Sequence, residues 1–311
     1  MAADDRKEGA GPRAKTTSMT VPSGTRIVGG TYEVERLLKA GGMGEVYRGR
    51  NVFNGEPVAI KIVLGSQSAD ETHTKLFERE ALVLSKLAHE AIVRYHVFTN
   101  DPQIGRPCLV MEFVAGPSLL ERMTEGPMPI EDVRTVMRRV ASGLGAAHKR
   151  GVIHRDLSPD NVILEDGLVD HAKLIDFGIA KAGAALGQAT MLEGRIAGKY
   201  NYMAPEQLGL ADGVVDERAD IYSLGLVCVG MFRGTALNMG ENPFEAITRR
   251  QSVPDISAVP EEMRGLVARM LAPNPADRPS SMIAVVKMLD DPNFVPPPPA
   301  PRVTAGGTVI G

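Results

Sequence analysis

The segment from His154 to Asn161 constrains this chain more than any other stretch of its sequence. It reads His-Arg-Asp-Leu-Ser-Pro-Asp-Asn, and Pro159 prevents a regular helix from forming between Asp156 and Asn161. We therefore predict a loop that brings a carboxylate and a carboxamide to one site. Asp156 could accept the proton of an attacking hydroxyl, and Asn161 could offer its oxygen to a hard cation such as Mg²⁺. A motif this short also occurs as a plain surface turn, so the rest of the chain has to distinguish the two interpretations.

The size and composition of the chain narrow the class of protein. Its 311 residues exceed the usual size of one compact core, so two lobes are expected. A net charge of −3 gives no support for a nucleic-acid partner. The longest apolar stretch, Ile221 to Phe232, is too short to cross a bilayer, and the charged first residues do not resemble a signal peptide. We expect a soluble, cytoplasmic protein without a membrane segment, in which Cys108 and Cys228 are buried free thiols.

The composition changes at both ends of the chain. Residues 1–31 mix charged residues with Gly, Ser, Thr and Pro without periodicity, which predicts a flexible tail. Residues 292–311 contain a proline run and a Gly- and Thr-rich end, which predicts a second flexible tail. Strand patterns dominate residues 32–113 and helical patterns dominate residues 114–291, so we expect an N-lobe and a C-lobe with these bounds.

A glycine-rich turn joins the first two predicted strands. These strands cover Tyr32 to Lys39 and Glu45 to Arg50, and Ala-Gly-Gly-Met-Gly lies between them. Glycines allow backbone N–H groups to approach a phosphate chain that Cβ atoms would hold away. A hairpin without a ligand is the alternative interpretation.

A single lysine interrupts the apolar strand predicted over 57–64. An ammonium group on such a strand needs an anionic partner or a route to water, because burying it unpaired is expensive. The next predicted helix carries Glu80 on the same edge as its buried stripe, so Glu80 is the expected partner of Lys61. The alternative for Glu80 is a surface pair with Arg79 or Lys86.

Helical spacing dominates the second half of the chain. Apolar residues recur at helical spacing from Ile130 to Ala147, directly before the loop that contains Asp156. A strongly apolar helix begins near Asp220 and is expected at the centre of the C-lobe. Shorter helices are predicted over 260–271 and 280–290.

Further motifs follow the loop in a fixed order. Asp176-Phe177-Gly178 comes after a short predicted strand, and Ala204-Pro205-Glu206 completes the set. With the glycine hairpin, Lys61, Glu80 and the His-Arg-Asp loop, this order resembles the eukaryotic-like, Hanks-type protein kinases, and in particular the bacterial serine/threonine group. The resemblance implies an α+β, bilobal protein kinase fold. Its N-lobe would combine an antiparallel sheet with helix αC, and its larger C-lobe would be mainly helical.

The resemblance also implies cofactors and roles. The cofactors would be ATP and Mg²⁺, with Mn²⁺ as an alternative ion, and the substrates would be proteins. Asn161 and Asp176 would hold the metal, while Lys61 would orient the phosphates with Glu80 as its ion-pair partner. Asp156 would position the substrate hydroxyl.

A larger set of residues is assigned to the nucleotide site by the same resemblance. Val46 would cover the adenine, Met111 would be the gatekeeper, and backbone groups of Glu112 and Val114 would face the adenine. The complete set of cofactor-binding residues is Lys39, Ala40, Gly41, Gly42, Met43, Gly44, Val46, Ala59, Lys61, Glu80, Met111, Glu112, Val114 and Ile163.

Two supporting contacts are implied in the C-lobe. Asp220 would hold the backbone of the catalytic loop, and Glu206 would pair with Arg278 in Asp-Arg-Pro. His148 is interpreted as structural, because no second metal ligand has a suitable spacing.

The chain departs from the family pattern at three positions. Lys39 replaces the first glycine of the glycine-rich loop, Ser158 stands where the family has lysine, and Lys199 stands where it has threonine. We hypothesise that Lys199 is catalytic and returns the positive charge that Ser158 does not supply. The alternative is that both changes damage catalysis and leave an ATP-binding scaffold.

The sequence leaves two modes of regulation open. In the family, an arginine at the position of Arg155 receives an activation-loop phosphothreonine. Either Thr190 is an autophosphorylation site, or Glu193 mimics the phosphate and the enzyme is active without modification. The threonines of both tails are either parts of inert linkers or phosphorylation sites for a phosphothreonine-reading, FHA-like partner domain.

The predicted function is ATP-dependent serine/threonine protein kinase activity with autophosphorylation. A pseudokinase scaffold is the alternative from the class of binding proteins. A small-molecule kinase is opposed by the Ala-Pro-Glu segment, and tyrosine specificity by the loop sequence Leu-Ser-Pro-Asp-Asn.

Overall fold

The computed structural model describes residues 20–41, 44–63, 82–177, 199–210, 213–291 and 293. Within these residues an antiparallel sheet precedes a mainly helical region. The predicted α+β, bilobal fold class is therefore confirmed.

The described part of the N-lobe contains one antiparallel sheet of six strands, namely β1 (Arg26–Ile27), β2 (Tyr32–Gly41), β3 (Gly44–Asn51), β4 (Pro57–Val63), β5 (Tyr95–Asp101) and β6 (Arg106–Glu112). These strands follow the order β1-β2-β3-β4-β6-β5 across the sheet. Burial alternates along β4, where Val58, Ile60 and Ile62 are buried and the side chains between them are partly exposed. This alternation gives the sheet one face on the N-lobe core and leaves the other for the cleft.

The structure corrects the predicted start of the folded region. Residues 20–31 were expected to belong to a flexible tail, but Arg26–Ile27 pair with β2, and Val21 and Ile27 are buried in the N-lobe core. The Val21 N–H also donates to the Tyr47 hydroxyl at 2.8 Å. A strand of two residues is too short to show a period of two, so the sequence pattern could not reveal it.

Six helices and a small hairpin are described in the C-lobe. They are α1 (Leu119–Thr124), α2 (Ile130–His148), β7 (Val162–Leu164), β8 (Ala172–Leu174), α3 (Arg218–Arg233), α4 (Pro243–Thr248), α5 (Glu261–Met270) and α6 (Met282–Asp290). Helix α3 is buried from Ala219 to Phe232, as expected for the centre of this lobe. Helices α2 and α5 pack against it, and α6 packs against α2.

The structure describes only a short part of the predicted helix αC. Residues 82–85 are helical, but most of the predicted helix αC, including Glu80, lies outside the described residues.

Cys108 and Cys228 are buried and free, as predicted. Among the helices of the described ranges, none combines the length and the apolar character needed to span a bilayer.

The linker between the lobes passes very close to β7. Gly116 has a φ of +151°, and a Cβ atom at this position would lie 1.9 Å from the Leu164 carbonyl oxygen. The linker is fixed there by two backbone hydrogen bonds, from the Asp166 N–H to the Ala115 carbonyl at 2.8 Å and from the Leu164 N–H to the Pro117 carbonyl at 2.9 Å. Only glycine fits without moving the linker.

We expect Gly116→Ala to lower the free energy of unfolding by about 2–4 kcal/mol, because overpacking and backbone strain act together. Urea unfolding would measure the change. Gly126→Ala is the matched control, since Gly126 also has a positive φ, of +128°, but has no atom within 4 Å of an added Cβ. Equal losses in the two variants would contradict a steric role for the contact with Leu164.

Candidate active site

The loop from His154 to Asn161 closes on itself. Residues Pro159–Asn161 form one turn of 3-10 helix, and the Asn161 N–H donates to the Ser158 carbonyl at 3.0 Å. The Asn161 side-chain amide donates to the Asp156 carbonyl at 2.9 Å. The carboxylate and the carboxamide are thus held in one compact loop, as the sequence predicted.

A buried carboxylate from α3 fixes the start of this loop. Asp220 is fully buried and accepts hydrogen bonds from the backbone N–H groups of His154, at 2.8 Å, and Arg155, at 2.9 Å. His148 Nε2 lies 2.7 Å from the same carboxylate, so the structural interpretation of His148 agrees with its contact. Burial acts to raise the pKa of Asp220, but the bonds from His148 and the backbone outweigh it and lower the pKa. The expected anchoring of the loop by Asp220 is confirmed.

A second carboxylate reaches the same cleft from the end of β8. Asp176 Oδ1 lies 2.6 Å from Lys61 Nζ on β4, and this ion pair connects the two lobes. Phe177 follows as a buried ring, 4.6 Å from the ring of His154. The expected partner of Lys61, Glu80, lies outside the described residues, so the Lys61–Glu80 pair stays a prediction.

Two residues of the cleft have left-handed backbones. Arg155 and Asp176 both have a φ of +59°. Residues other than glycine rarely adopt this region, and holding one there costs on the order of 1–3 kcal/mol. The surrounding contacts, including those of Asp220, compensate for this strain and fix where the neighbouring carboxylates point.

Eight of the predicted site residues line one cavity of about 520 Å³, a size suited to a small-molecule ligand. The sequence-predicted residues in its wall are Lys39, Gly41, Gly44, Val46, Lys61, Asp156, Asn161 and Asp176. Other described residues of the wall include Arg155, Ser158, Asp160, Asn201 and Tyr202. The cavity wall therefore includes one arginine, two lysines, three aspartates and two asparagines.

Six other candidates are described outside the wall of this cavity. They are Ala40, Ala59, Met111, Glu112, Val114 and Ile163. Ala59 and Met111 are opposite each other in the pairing of β4 and β6. The Glu112 carboxylate lies 2.5 Å from Lys173 Nζ on β8 and accepts from the Arg94 N–H at 3.0 Å. The assignment of these residues to the adenine stays a prediction.

The glycine hairpin is tightly packed at its base. Gly44 has a φ of +150°, and an added Cβ would lie 2.3 Å from the Ile62 carbonyl oxygen. Only glycine lets β3 approach β4 this closely.

Several candidates lie outside the described residues, namely Gly42, Met43, Glu80, Gly178, Thr190, Glu193 and the side chain of Lys199.

One contact in the cleft had no signal in the sequence. Lys39 Nζ on β2 lies 2.6 Å from Asp160 Oδ2, and the Ser158 hydroxyl donates to Asp160 Oδ1 at 2.6 Å. Burial acts to raise the pKa of Asp160, but Lys39 and Ser158 outweigh it and keep the pKa below its usual value. Lys39 and Asp160 are 121 positions apart, so no local pattern connects them.

The segment after residue 199 is held by buried side chains. Glu206 and Arg278 form the predicted ion pair with N–O distances of 2.7 and 2.9 Å, and both side chains are fully buried. Arg250, which no sequence motif singles out, is also fully buried and donates to backbone carbonyls, including those of Tyr200 and Met203. Burial lowers the pKa of Arg250 to about 10. In the sequence Arg250 follows Arg249 and resembles a surface residue. Only its position beneath the segment after residue 199 shows that it is buried.

The donor set of the cleft fits a metal ion that is shared with a ligand. In the described part of the chain, no group of three or more His, Cys, Asp and Glu side chains could hold a metal. Mg²⁺ bound together with substrate phosphates needs only one or two protein carboxylates, because phosphates and waters complete its shell. Asp176 and the amide oxygen of Asn161 supply oxygen ligands of this kind in the wall of one cavity.

A model of the protein kinase domain matches residues 32–292. The chain is 33% identical over 312 residues to the serine/threonine-protein kinase pkn2 of Myxococcus xanthus, covering 91% of this chain and 37% of that protein. It is 35% identical over 278 residues to the serine/threonine-protein kinase PknL of Mycobacterium tuberculosis, covering 85% of this chain and 68% of the relative.

Solved structures give the same likeness. A crystal structure of the PknI kinase domain of M. tuberculosis matches with a TM-score of 0.68 at 28% identity, covering 88% of this chain and 98% of that chain. The similarity thus extends over nearly the whole of that domain.

Proposed function

Because this chain belongs to the protein kinase family, we propose that it transfers the γ-phosphate of ATP to serine and threonine hydroxyls of protein substrates. The observation that carries this proposal is the meeting of Lys61, Asp156, Asn161 and Asp176 in the wall of one cavity. Since the chain spans about a third of the length of pkn2, the activity, substrates and partners of a whole protein are part of the proposal.

Each of these four side chains has a distinct task in the proposed reaction. Asp156 orients the attacking hydroxyl and accepts its proton. Lys61, which here contacts Asp176, would hold phosphate oxygens, and the Asp176 carboxylate would bind the metal. The amide nitrogen of Asn161 is used by the Asp156 carbonyl, so its oxygen is the end that can bind a cation.

When bound, the complex of ATP with Mg²⁺ supplies the phosphoryl group and a metal charge that offsets the phosphates. Mg²⁺ is proposed because the two protein ligands are hard oxygen atoms, with Mn²⁺ as an alternative ion. The rest of the rate enhancement comes from holding Asp156, Lys61 and Asp176 in fixed positions before substrate binds.

Several finer proposals go with this activity. Autophosphorylation at Thr190 or mimicry by Glu193, compensation for Ser158 by Lys199, an FHA-like partner and a cytoplasmic location all stay predictions. They rest on the sequence alone.

Intact mass measured before and after incubation with ATP and Mg²⁺ tests the proposal. After phosphatase treatment, the unsubstituted chain is expected to gain mass in phosphate-sized steps, and a Ser/Thr protein substrate is expected to gain phosphate from labelled ATP. Lys61→Met is expected to abolish both gains, because it removes the cation proposed to hold the phosphate oxygens. Binding of ATP without phosphate transfer to either acceptor would favour the pseudokinase scaffold instead.

A further inference from the structure

Two departures from the family pattern meet at one carboxylate. Lys39 stands where the family has glycine, and Ser158 stands where it has lysine. In the structure Asp160 accepts a hydrogen bond from the Lys39 ammonium on one carboxylate oxygen and a hydrogen bond from the Ser158 hydroxyl on the other, both at 2.6 Å. The family pattern places a lysine in the catalytic loop itself. In this chain, the lysine that contacts the loop comes from β2.

The strand register places Lys39 beside Lys61 on the cleft face of the sheet. Lys39 is opposite Val46 in the pairing of β2 and β3, and Val46 is opposite Lys61 in the pairing of β3 and β4. Directly paired residues project from the same face of a sheet, and neighbouring strands are about 4.8 Å apart. The two lysines therefore flank Val46 at a backbone separation on the order of 10 Å. All three side chains line the same cavity.

We propose that Lys39 is a second phosphate-binding lysine of this cleft, which Asp160 holds near the catalytic loop when no nucleotide is bound. The inference rests on the proposed function and names a further nucleotide-binding role for a side chain that replaces a glycine. Its ligand would be the polyphosphate chain of the nucleotide. Lys39 would thereby add a second positive charge from the hairpin at the phosphate-binding end of the cleft.

The exposure of the pair makes this exchange feasible. The Lys39 side chain is 62% exposed and that of Asp160 is 38% exposed, and ion pairs this exposed contribute little net stability. A lysine side chain also has a flexible four-carbon stem, so its ammonium can leave one anion for another without movement of the strand. A polyphosphate carries more negative charge than one carboxylate, so the ammonium is expected to transfer to it.

Affinities for a non-hydrolysable ATP analogue and for adenosine, measured in the presence of Mg²⁺, test the inference. Lys39→Met is expected to weaken binding of the analogue about fivefold to tenfold, the effect of losing one charge-assisted contact at an exposed site, and to leave binding of adenosine unchanged. Asp160→Asn releases Lys39 and is expected to bind the analogue at least as tightly as the unsubstituted chain. The two partners of one ion pair should thus give different results.

The matched control is Arg50→Met, which removes an exposed hairpin cation paired with Glu33 at 2.8 Å outside the cavity. It is expected to leave both affinities unchanged. Similar weakening of both ligands by Lys39→Met and by Asp160→Asn would overturn the inference and assign the pair to closure of the cleft. Unchanged affinity for the analogue in Lys39→Met would overturn it as well. If the unsubstituted chain bound no ATP analogue, the proposed function would fail together with the inference.

Discussion

Replacing Asp156 by asparagine is expected to lower kcat for phosphate transfer about 10²- to 10⁴-fold, the range attributed to a positioned general base. The amide keeps the size of the side chain but cannot take a proton from the substrate hydroxyl. The loop should keep its shape, because the structural contacts of this residue include its carbonyl, which accepts from the Asn161 amide at 2.9 Å. Affinity for ATP should therefore change little. Steady-state transfer to a protein substrate and nucleotide binding would measure the two effects.

The control for this variant is Asp170→Asn, the same chemical change at an exposed residue between β7 and β8. It is expected to keep full activity. A rate for Asp156→Asn within a factor of a few of the unsubstituted rate would remove Asp156 from the mechanism. Equal losses in both variants would point to a general effect on the C-lobe instead.

Replacing Arg278 by methionine is expected to lower the free energy of unfolding by about 3–5 kcal/mol. Arg278 and Glu206 have no exposed side-chain surface, and the substitution leaves the Glu206 carboxylate buried without its cation. Arg278 also donates to the carbonyls of Arg218 and Ala272 and lies 4.8 Å from the centroid of the Tyr222 ring, so several contacts are lost together. Chemical unfolding would measure the change.

Arg138→Met provides the matched control for burial. Arg138 and Asp290 are also 2.7 Å apart, but their side chains are 45% and 52% exposed. Breaking an exposed pair should cost no more than about 1 kcal/mol. If the two variants lost similar stability, burial would not explain the importance of the Glu206–Arg278 pair.

The sequence predicted those parts of the fold whose patterns are long or local. Helix α3 was visible as an apolar run, and β4 as an apolar strand carrying one lysine. The loop around Asp156 was visible because its proline and its polar residues are close together in sequence. The pairing of Glu206 with Arg278 followed from the resemblance to a family and from no pattern of spacing.

Other features depend on contacts that the sequence does not encode locally. The short strand β1 has only two residues, and Arg250 owes its burial to the segment that packs over it. The contact of Lys39 with Asp160 joins a strand of one lobe to a loop of the other. Each of these becomes visible only when distant parts of the chain are brought together.

The left-handed backbone of Asp176 sets a limit on how far this chain could be stabilised by mutation. Glycine would adopt the φ of +59° without strain, so a glycine at this position would relax the backbone. The same change would delete the carboxylate that faces Lys61. Selection for a more stable fold and selection for activity therefore favour different residues at this position. In this chain the aspartate supplies the carboxylate, and its left-handed backbone carries the strain.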